Sequence, residues 1–222
     1  MAPLLETSPT LGIVPLFAEL APAELDEIER QTKLKRYRRQ TVIIEAGDES
    51  QTLYLLLSGH AKAYVEDETG KELVLQELKP GDYFGELALL GGIQRTASVM
   101  SLTDCEVRLL PGGAFQRLLR SRPELAAHLI RHLAWRVAAL TDQVRDLGLL
   151  SAYERIKKVL IEGATCVGDR WITPRMTQQG LADRAGCSRE MVSRIIRDLR
   201  IGGYILCEDR RFIIQRELPP RW

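Results

Sequence analysis

A glutamate, an arginine and a threonine lie within eleven residues of one glycine-rich segment, GDYFGELALLGGIQRTASV at 81–99. Backbone amides at the start of a turn or short helix can face an anion, and an arginine adds a cationic fork for a phosphate. Glu86 cannot bind a phosphate, but it could accept a hydrogen bond from a ribose 2′-hydroxyl. The segment therefore predicts a ribose-phosphate site, although an ordinary loop is the alternative. The predicted ligand-binding residues are Gly85, Glu86, Leu87, Ala88, Arg95 and Thr96.

A second group of chemically active residues lies near the C-terminus, in TQQGLADRAGCSREMVSRIIRDL at 177–199. At about 100° per residue, the apolar residues of its second half fall on one helix face. The opposite face carries Arg189, Glu190, Ser193, Arg194, Arg197 and Arg200. Arginine can bond guanine O6 and N7 together, and glutamate can accept from cytosine N4. This face predicts a helix that enters a DNA major groove, and a solvated basic helix is the alternative.

The same segment has the spacing of a helix-turn-helix. Gly186 would supply the tight turn, and Thr177 and Ser188 are good N-cap residues for the two helices. The predicted apolar core consists of Leu181, Ala182, Ala185, Val192 and Ile195. A hairpin follows at 205–215, with Arg210 and Arg211 at its tip. We interpret it as a wing whose arginines contact phosphates, which position a protein on DNA without specifying sequence.

The rest of the chain must position these two groups. The pattern predicts a helix at 15–30, short strands separated by glycine turns from Lys35 to about Leu110, and helices at 153–162, 177–184 and 188–200. Many short strands at even spacing favour a barrel or roll. The predicted fold class is α+β.

A long helix is predicted at 123–147, with apolar residues at alternating steps of four and three. Ile130, Val137 and Val144 fall at heptad position a, and Leu133, Leu140 and Leu147 fall at d. β-Branched residues at a with leucine at d favour a parallel two-stranded pair. We therefore predict a homodimer through residues 126–147, with a helix packed on its own core as the alternative. His128 and His132 are predicted to face outward, so a metal site there is not expected.

Charge and composition set further limits. Residues 153–222 carry 14 basic and 9 acidic side chains, a net +5, while residues 1–152 have a net charge of −4. A basic C-terminal third indicates that only this part meets a polyanion. The start, Met1–Glu6, has no basic leader region, and no apolar run approaches the ~20 residues that cross a bilayer. Four widely spaced cysteines are expected to be reduced thiols. These features predict a cytoplasmic protein with no membrane partner.

The two motifs together resemble a known family. FGELALL…RTAS is similar to the phosphate-binding segment of cyclic-nucleotide-binding domains, and GCSREMVSRIIRDL is similar to the recognition helix of the Crp/Fnr family of transcription regulators. The resemblance covers roughly residues 15–216. It implies a β-roll domain at 1–112, a dimerisation helix with a hinge at 113–150, and a winged helix-turn-helix at 151–222. An enzyme is not expected, because the sequence shows no nucleophile–base constellation and no metal-ligand cluster.

The resemblance also implies partners and residue roles. The implied effector is cyclic AMP, with adenine contacts from Arg136 and Thr141. The implied DNA is a palindrome with TGTGA-like half-sites, and RNA polymerase is an implied partner. In such proteins the ligand is thought to extend and tighten the helix pair. The implied DNA-contacting residues are Arg189, Glu190 and Arg194, with Ser188, Gln178 and Gln179 near phosphates.

One residue departs from the cAMP-binding pattern, because Leu140 stands where those relatives have a polar, ligand-contacting residue. The departure leaves open a second ligand, cyclic di-GMP, or no effector at all. A different class also stays open, namely a cyclic-nucleotide-binding protein that regulates a protein partner and does not bind DNA.

Overall fold

The computed structural model describes residues 11–168 and 170–221. The predicted absence of a leader region concerns Met1–Glu6, which lie outside the described residues. The helices are α1 (Pro22–Arg30), α2 (Glu86–Gly91), α3 (Gly112–Ser121), α4 (Pro123–Leu149), α5 (Ala152–Gly163), α6 (Gln178–Ala185) and α7 (Arg189–Ile201). The strands are β1 (Lys33–Tyr37), β2 (Val42–Ile44), β3 (Thr52–Ser58), β4 (Ala61–Glu66), β5 (Glu72–Leu78), β6 (Tyr83–Phe84), β7 (Ser98–Ser101), β8 (Cys105–Pro111), β9 (Thr165–Val167), β10 (Arg170–Ile172), β11 (Ile205–Glu208) and β12 (Arg211–Ile214).

The chain divides into two compact units. The first contains the residues up to Val65 and Leu75–Arg136, and the second contains Glu66–Val74 and the residues from Val137 onward. The predicted domain boundaries at 112 and 150 stay a prediction.

The first unit is built on two four-stranded sheets, in the orders β1-β8-β3-β6 and β2-β7-β4-β5. The apolar run of β3 is buried along its length, from Leu53 to Leu57, because both of its faces are covered. One apolar core includes residues of α3 and of the start of α4, such as Phe115, Leu125 and Leu129. This core fixes the strand β6, which leads directly into α2 and so into the predicted ligand segment.

Helix α4 has two faces with different surroundings. Leu125 and Leu129 are buried in the core of the first unit, whereas Ile130, Val137 and Val144 are 64–68% exposed. The a-position residues of the predicted seam thus form an exposed apolar stripe in the single chain. We expected His132 to face outward, but it is half-buried, with its ring against Tyr83. Heptad position alone could not show this contact, because Tyr83 lies about fifty residues earlier in the chain.

The second unit combines α5, α6 and α7 with a four-stranded sheet in the order β11-β12-β10-β9. Its apolar core is separate from that of the first unit. Polar contacts connect the end of α4 with α5. Ser151 caps α5 in a capping box with Glu154, Arg155 donates to the carbonyl of Leu150 at 2.7 Å, and Lys158 bonds Asp146.

Two predictions about elements were wrong or incomplete. Residues 15–30 are not one helix, since a 3-10 turn at Pro15–Phe17 ends before α1 starts at Pro22. Proline favours a first helical turn but interrupts a helix interior, which explains the break. Strands β9 and β10 were not predicted. No helix in the described part of the chain is long and apolar enough to cross a membrane.

Candidate effector cavity and nucleic-acid interface

A cavity lies in the first unit, with about 380 Å³ of space that includes its opening to solvent. It is formed by the end of β6, the start of α2, the segment before β7, and one residue of α4. All six ligand residues predicted in segment 81–99 line it, and so does Arg136. The lining residues are Ile44, Ala63, Phe84, Gly85, Glu86, Leu87, Ala88, Arg95, Thr96, Ala97, Val99 and Arg136.

Arg95 is one of the two arginines that line this cavity, and it is only 4% exposed. Its Nη1 donates to the carbonyl of Gly85 at 2.6 Å, and its Nη2 donates to the carbonyl of Thr52 at 2.7 Å and to Ser50 Oγ at 3.2 Å. Its Nε is buried without a partner. Burial lowers the pKa of the guanidinium, which nevertheless stays charged at neutral pH. Among the described residues no carboxylate bonds to it, so this buried cation still lacks an anion.

Gly85 allows Arg95 to reach this position. Its φ is +88°, in the left-handed region, and a Cβ there would lie 2.4 Å from Arg95 Nη1 and 3.0 Å from the Thr52 carbonyl oxygen. Any side chain would therefore be strained and would displace the guanidinium.

Glu86 is the acidic group of the cavity and is 1% exposed. Its Oε1 accepts a hydrogen bond from Arg136 Nη1 at 2.6 Å, while its Oε2 is buried without any partner. Burial raises the pKa of this carboxyl, and the charge of Arg136 acts in the opposite direction. An unpartnered carboxylate oxygen inside a cavity suits a hydroxyl donor of a ligand, because a buried acceptor without a hydrogen bond is costly.

Of the two predicted adenine-contacting residues, one lines the cavity and the other does not. Arg136 lines the cavity and is paired with Glu86. Thr141 is exposed, is not among the lining residues, and donates to the carbonyl of Val137 at 2.9 Å. The Arg136–Glu86 pair and the acceptors of Arg95 on Ser50 and Thr52 were not predicted. No sequence pattern links residues 43 to 50 positions apart, so only the fold could reveal them.

No group of three or more histidine, cysteine, aspartate or glutamate side chains in residues 11–168 and 170–221 is arranged to hold a metal ion. The charged residues that line the cavity are Glu86, Arg95 and Arg136.

The helix-turn-helix forms from α6 and α7 in the second unit. Thr177 Oγ1 accepts from the amide of Gly180 at 3.0 Å, and Ser188 Oγ accepts from the amide of Met191 at 3.2 Å, which confirms both predicted N-caps. Gly186 has φ +60°, and a Cβ there would lie 2.6 Å from Leu147 Cδ2, so the predicted turn glycine is required. The five predicted core residues are all buried.

The outer face of α7 presents the predicted DNA-contacting side chains. Arg189, Glu190, Ser193, Arg194 and Arg197 line one open groove. Ser188 and Gln179 are exposed and Gln178 is half-buried, all at the starts of the two helices. The Nε2 of Gln179 donates to Asp183 Oδ1 at 2.6 Å. This arrangement offers several arginine forks and one carboxylate to a binding partner.

The predicted wing is the hairpin of β11 and β12. Asp209 and Arg210 both have positive φ, at 47° and 59°, as a two-residue type I′ turn requires. Asp209 is paired with Arg175 just before α6, a cation that sequence analysis missed. The wing tip therefore presents Arg210 and Arg211 next to the helix-turn-helix.

Two domain families match the two parts of the chain that contain these candidate sites. Residues 34–122 match the cyclic nucleotide-binding domain family, and residues 154–218 match the Crp-like helix-turn-helix domain. The chain is 33% identical to the cAMP-activated global transcriptional regulator CRP of Pasteurella multocida, over 75% of this chain and 82% of that protein. It is 30% identical to the cAMP-activated global transcriptional regulator Vfr of Pseudomonas aeruginosa, over 86% and 92%. The structure of the c-di-GMP responsive global regulator CLP of Xanthomonas campestris has the same fold, with a TM-score of 0.75, 24% identity and coverage of 89% and 100%.

The chain belongs to the Crp/Fnr family of transcription regulators. It has the α+β fold of that family and is a cyclic-nucleotide-responsive, DNA-binding transcription regulator, not an enzyme. The alternative of a cyclic-nucleotide protein without a DNA role is therefore wrong.

Proposed function

We propose that this protein is a cAMP-responsive homodimer that binds palindromic DNA. The observation that carries the effector assignment is that two buried polar groups of one cavity lack partners. Arg95 is a buried cation without an anion, and Glu86 has a buried carboxylate oxygen without a donor. A ribose cyclic phosphate supplies both the anion and the hydroxyl donor.

Cyclic AMP fits this cavity better than cyclic di-GMP does. A cyclic dinucleotide carries two phosphates and two bases, whereas the cavity offers one buried arginine without an anion. The relatives at 30% identity or more are named as cAMP-activated, while the one named for c-di-GMP shares only the fold at 24% identity. Thr96 and the amides of Glu86, Leu87 and Ala88 are proposed to hold the phosphate with Arg95.

Calorimetry of the purified protein with cAMP, cGMP and cyclic di-GMP tests this assignment. We expect cAMP to bind most tightly, and Arg95→Ala to weaken it by about 30-fold or more, since removing one member of a buried charge pair costs ~2–5 kcal/mol. Arg117→Ala removes an exposed arginine of the same unit and should leave the affinity unchanged. Tighter binding of cyclic di-GMP, or equal losses in the two variants, would contradict the proposal.

The homodimer is proposed from the exposed stripe on α4. Ile130, Val137 and Val144 leave a line of apolar surface in the single chain, at the spacing of a parallel two-stranded pair. A second copy that contributes the same stripe would cover it. Val144→Glu should convert the dimer into monomer in sedimentation, while the control Leu149→Glu, outside the stripe, should not.

Two copies would present two α7 helices to a palindrome with TGTGA-like half-sites. Arg189, Glu190 and Arg194 are proposed to contact base edges, and Ser188, Gln178 and Gln179 to lie near phosphates. Such a regulator acts where the chromosome is, in the cytoplasm, with RNA polymerase as its proposed protein partner. Binding to a duplex with and without the two half-sites, measured by anisotropy, tests the specificity.

A further inference from the structure

A histidine and a tyrosine next to the cavity have no part in the proposed function. His132 lies on α4, one turn before Arg136, and Tyr83 lies on β6, three residues before Glu86. Their ring centroids are 4.9 Å apart at an interplanar angle of 40°. The contact therefore joins α4 to β6, beside the Arg136–Glu86 ion pair that joins α4 to α2.

The polar atoms of this pair are buried and unmet. His132 Nε2 and Tyr83 Oη have no hydrogen-bond partner. A protonated Nε2 would carry a buried N–H without an acceptor, which is costly. The neutral imidazole is therefore the form that fits this contact.

The charged groups around the pair favour the same form. Burial first and then the Arg136 charge lower the pKa of His132, with His128 adding a smaller effect and Asp82 acting in the opposite direction. Burial and the charge of Glu86 raise the pKa of Tyr83, so its hydroxyl stays protonated at physiological pH.

We propose that His132 is a positioning residue of the effector cavity, whose neutral ring packs on Tyr83 and fixes the helix turn from which Arg136 reaches Glu86. The proposal rests on the proposed function, because it assigns a role at the same cavity. Without the contact, the segment of α4 that carries Arg136 is attached only through the Arg136–Glu86 ion pair.

The contact makes effector binding sensitive to acid. An unpacked His132 binds a proton near the ordinary value of 6.5, whereas the packed ring binds it only at lower pH. The packed state is therefore most stable above pH 6.5. Its stability relative to the unpacked state decreases as the pH falls from 6.5 towards the lowered pKa of His132. The affinity for cAMP should be constant from pH 7 to 8 and should fall by up to about tenfold per pH unit below 6.5.

The experiment is a pH series of cAMP calorimetry from 5.5 to 8.0. His132→Gln removes both the ring contact with Tyr83 and the titratable group, so it should bind cAMP more weakly than the unmodified protein at pH 7.5 and lose the acid dependence. His128→Gln, one turn earlier on the same helix, is the matched control and should keep it. An equal slope in the unmodified protein and His132→Gln, or no slope in the unmodified protein, would overturn the proposal.

A readout without ligand separates this proposal from the effector assignment. The chain has three histidines, so imidazole NMR signals can be assigned by single substitutions. The signal of His132 should titrate below 6.5 and shift upward in Arg136→Gln. If cAMP does not bind at any pH, the proposed function fails. If His132 titrates at or above 6.5, the positioning role fails, whether or not cAMP binds.

Discussion

Replacement of Leu140 by threonine tests how the α4 stripe controls DNA binding. Leu140 is 38% exposed in the single chain. Complete burial of a leucine side chain stabilises by about 1.5–3 kcal/mol, so covering the remaining surface contributes about 0.6–1.1 kcal/mol per subunit and about 1–2 kcal/mol per dimer. A tightened helix pair covers this surface with or without ligand. If the tightened pair is the DNA-binding state, Leu140 shifts the resting population towards that state.

The expected result is specific operator binding without ligand and a modest stimulation by cAMP. Leu140→Thr should weaken the unliganded binding by about 5- to 30-fold, because 1.4 kcal/mol corresponds to a factor of ten, and should increase the stimulation by cAMP. Anisotropy with a labelled palindromic duplex, with and without cAMP, measures both quantities. Leu149→Thr makes the same change at an exposed position outside the stripe and serves as the control. The reasoning is refuted if the unmodified protein shows no specific binding without ligand and Leu140→Thr behaves identically.

Two further predictions concern the cavity and the DNA interface. Gly85→Ala should displace the guanidinium of Arg95 and weaken the affinity for cAMP by at least tenfold in calorimetry. An unchanged affinity would contradict the role of the close approach of Arg95 to Gly85. Arg194→Ala should cost ~1–3 kcal/mol on the cognate half-site and relax the preference at one base pair, whereas Arg210→Ala should weaken all sequences alike and reduce the salt slope. Identical behaviour of these two variants in salt titrations would remove the distinction between base contacts and phosphate contacts.

The sequence was most informative where local rules determine structure. The caps at Thr177 and Ser188, the turn at Gly186 and the long helix α4 follow from short-range preferences, and the structure has all of them. The cavity residues of segment 81–99 were also predictable, because their types and spacing fall within one short stretch of chain.

Features that depend on long-range contacts were not predictable. Strands β9 and β10 are three residues long and mostly exposed, so they carry no alternation of apolar and polar residues. β10 is held by pairing with β12, more than forty residues away, and β9 is held by pairing with β10. The contacts of Glu86 with Arg136 and of His132 with Tyr83 depend in the same way on how α4 packs against β6 and α2.

The unpartnered oxygen of Glu86 is expected to accept a hydrogen bond from a ribose hydroxyl of the effector. Calorimetry of cAMP and 2′-deoxy-cAMP, each with the unmodified protein and with Glu86→Ala, tests it most directly. A hydrogen bond to a charged group contributes ~1.5–3 kcal/mol, so the deoxy ligand should bind the unmodified protein about 10- to 150-fold more weakly than cAMP. Glu86→Ala should weaken the binding of cAMP and hardly affect the binding of 2′-deoxy-cAMP. Equal losses for both ligands in Glu86→Ala would contradict the account.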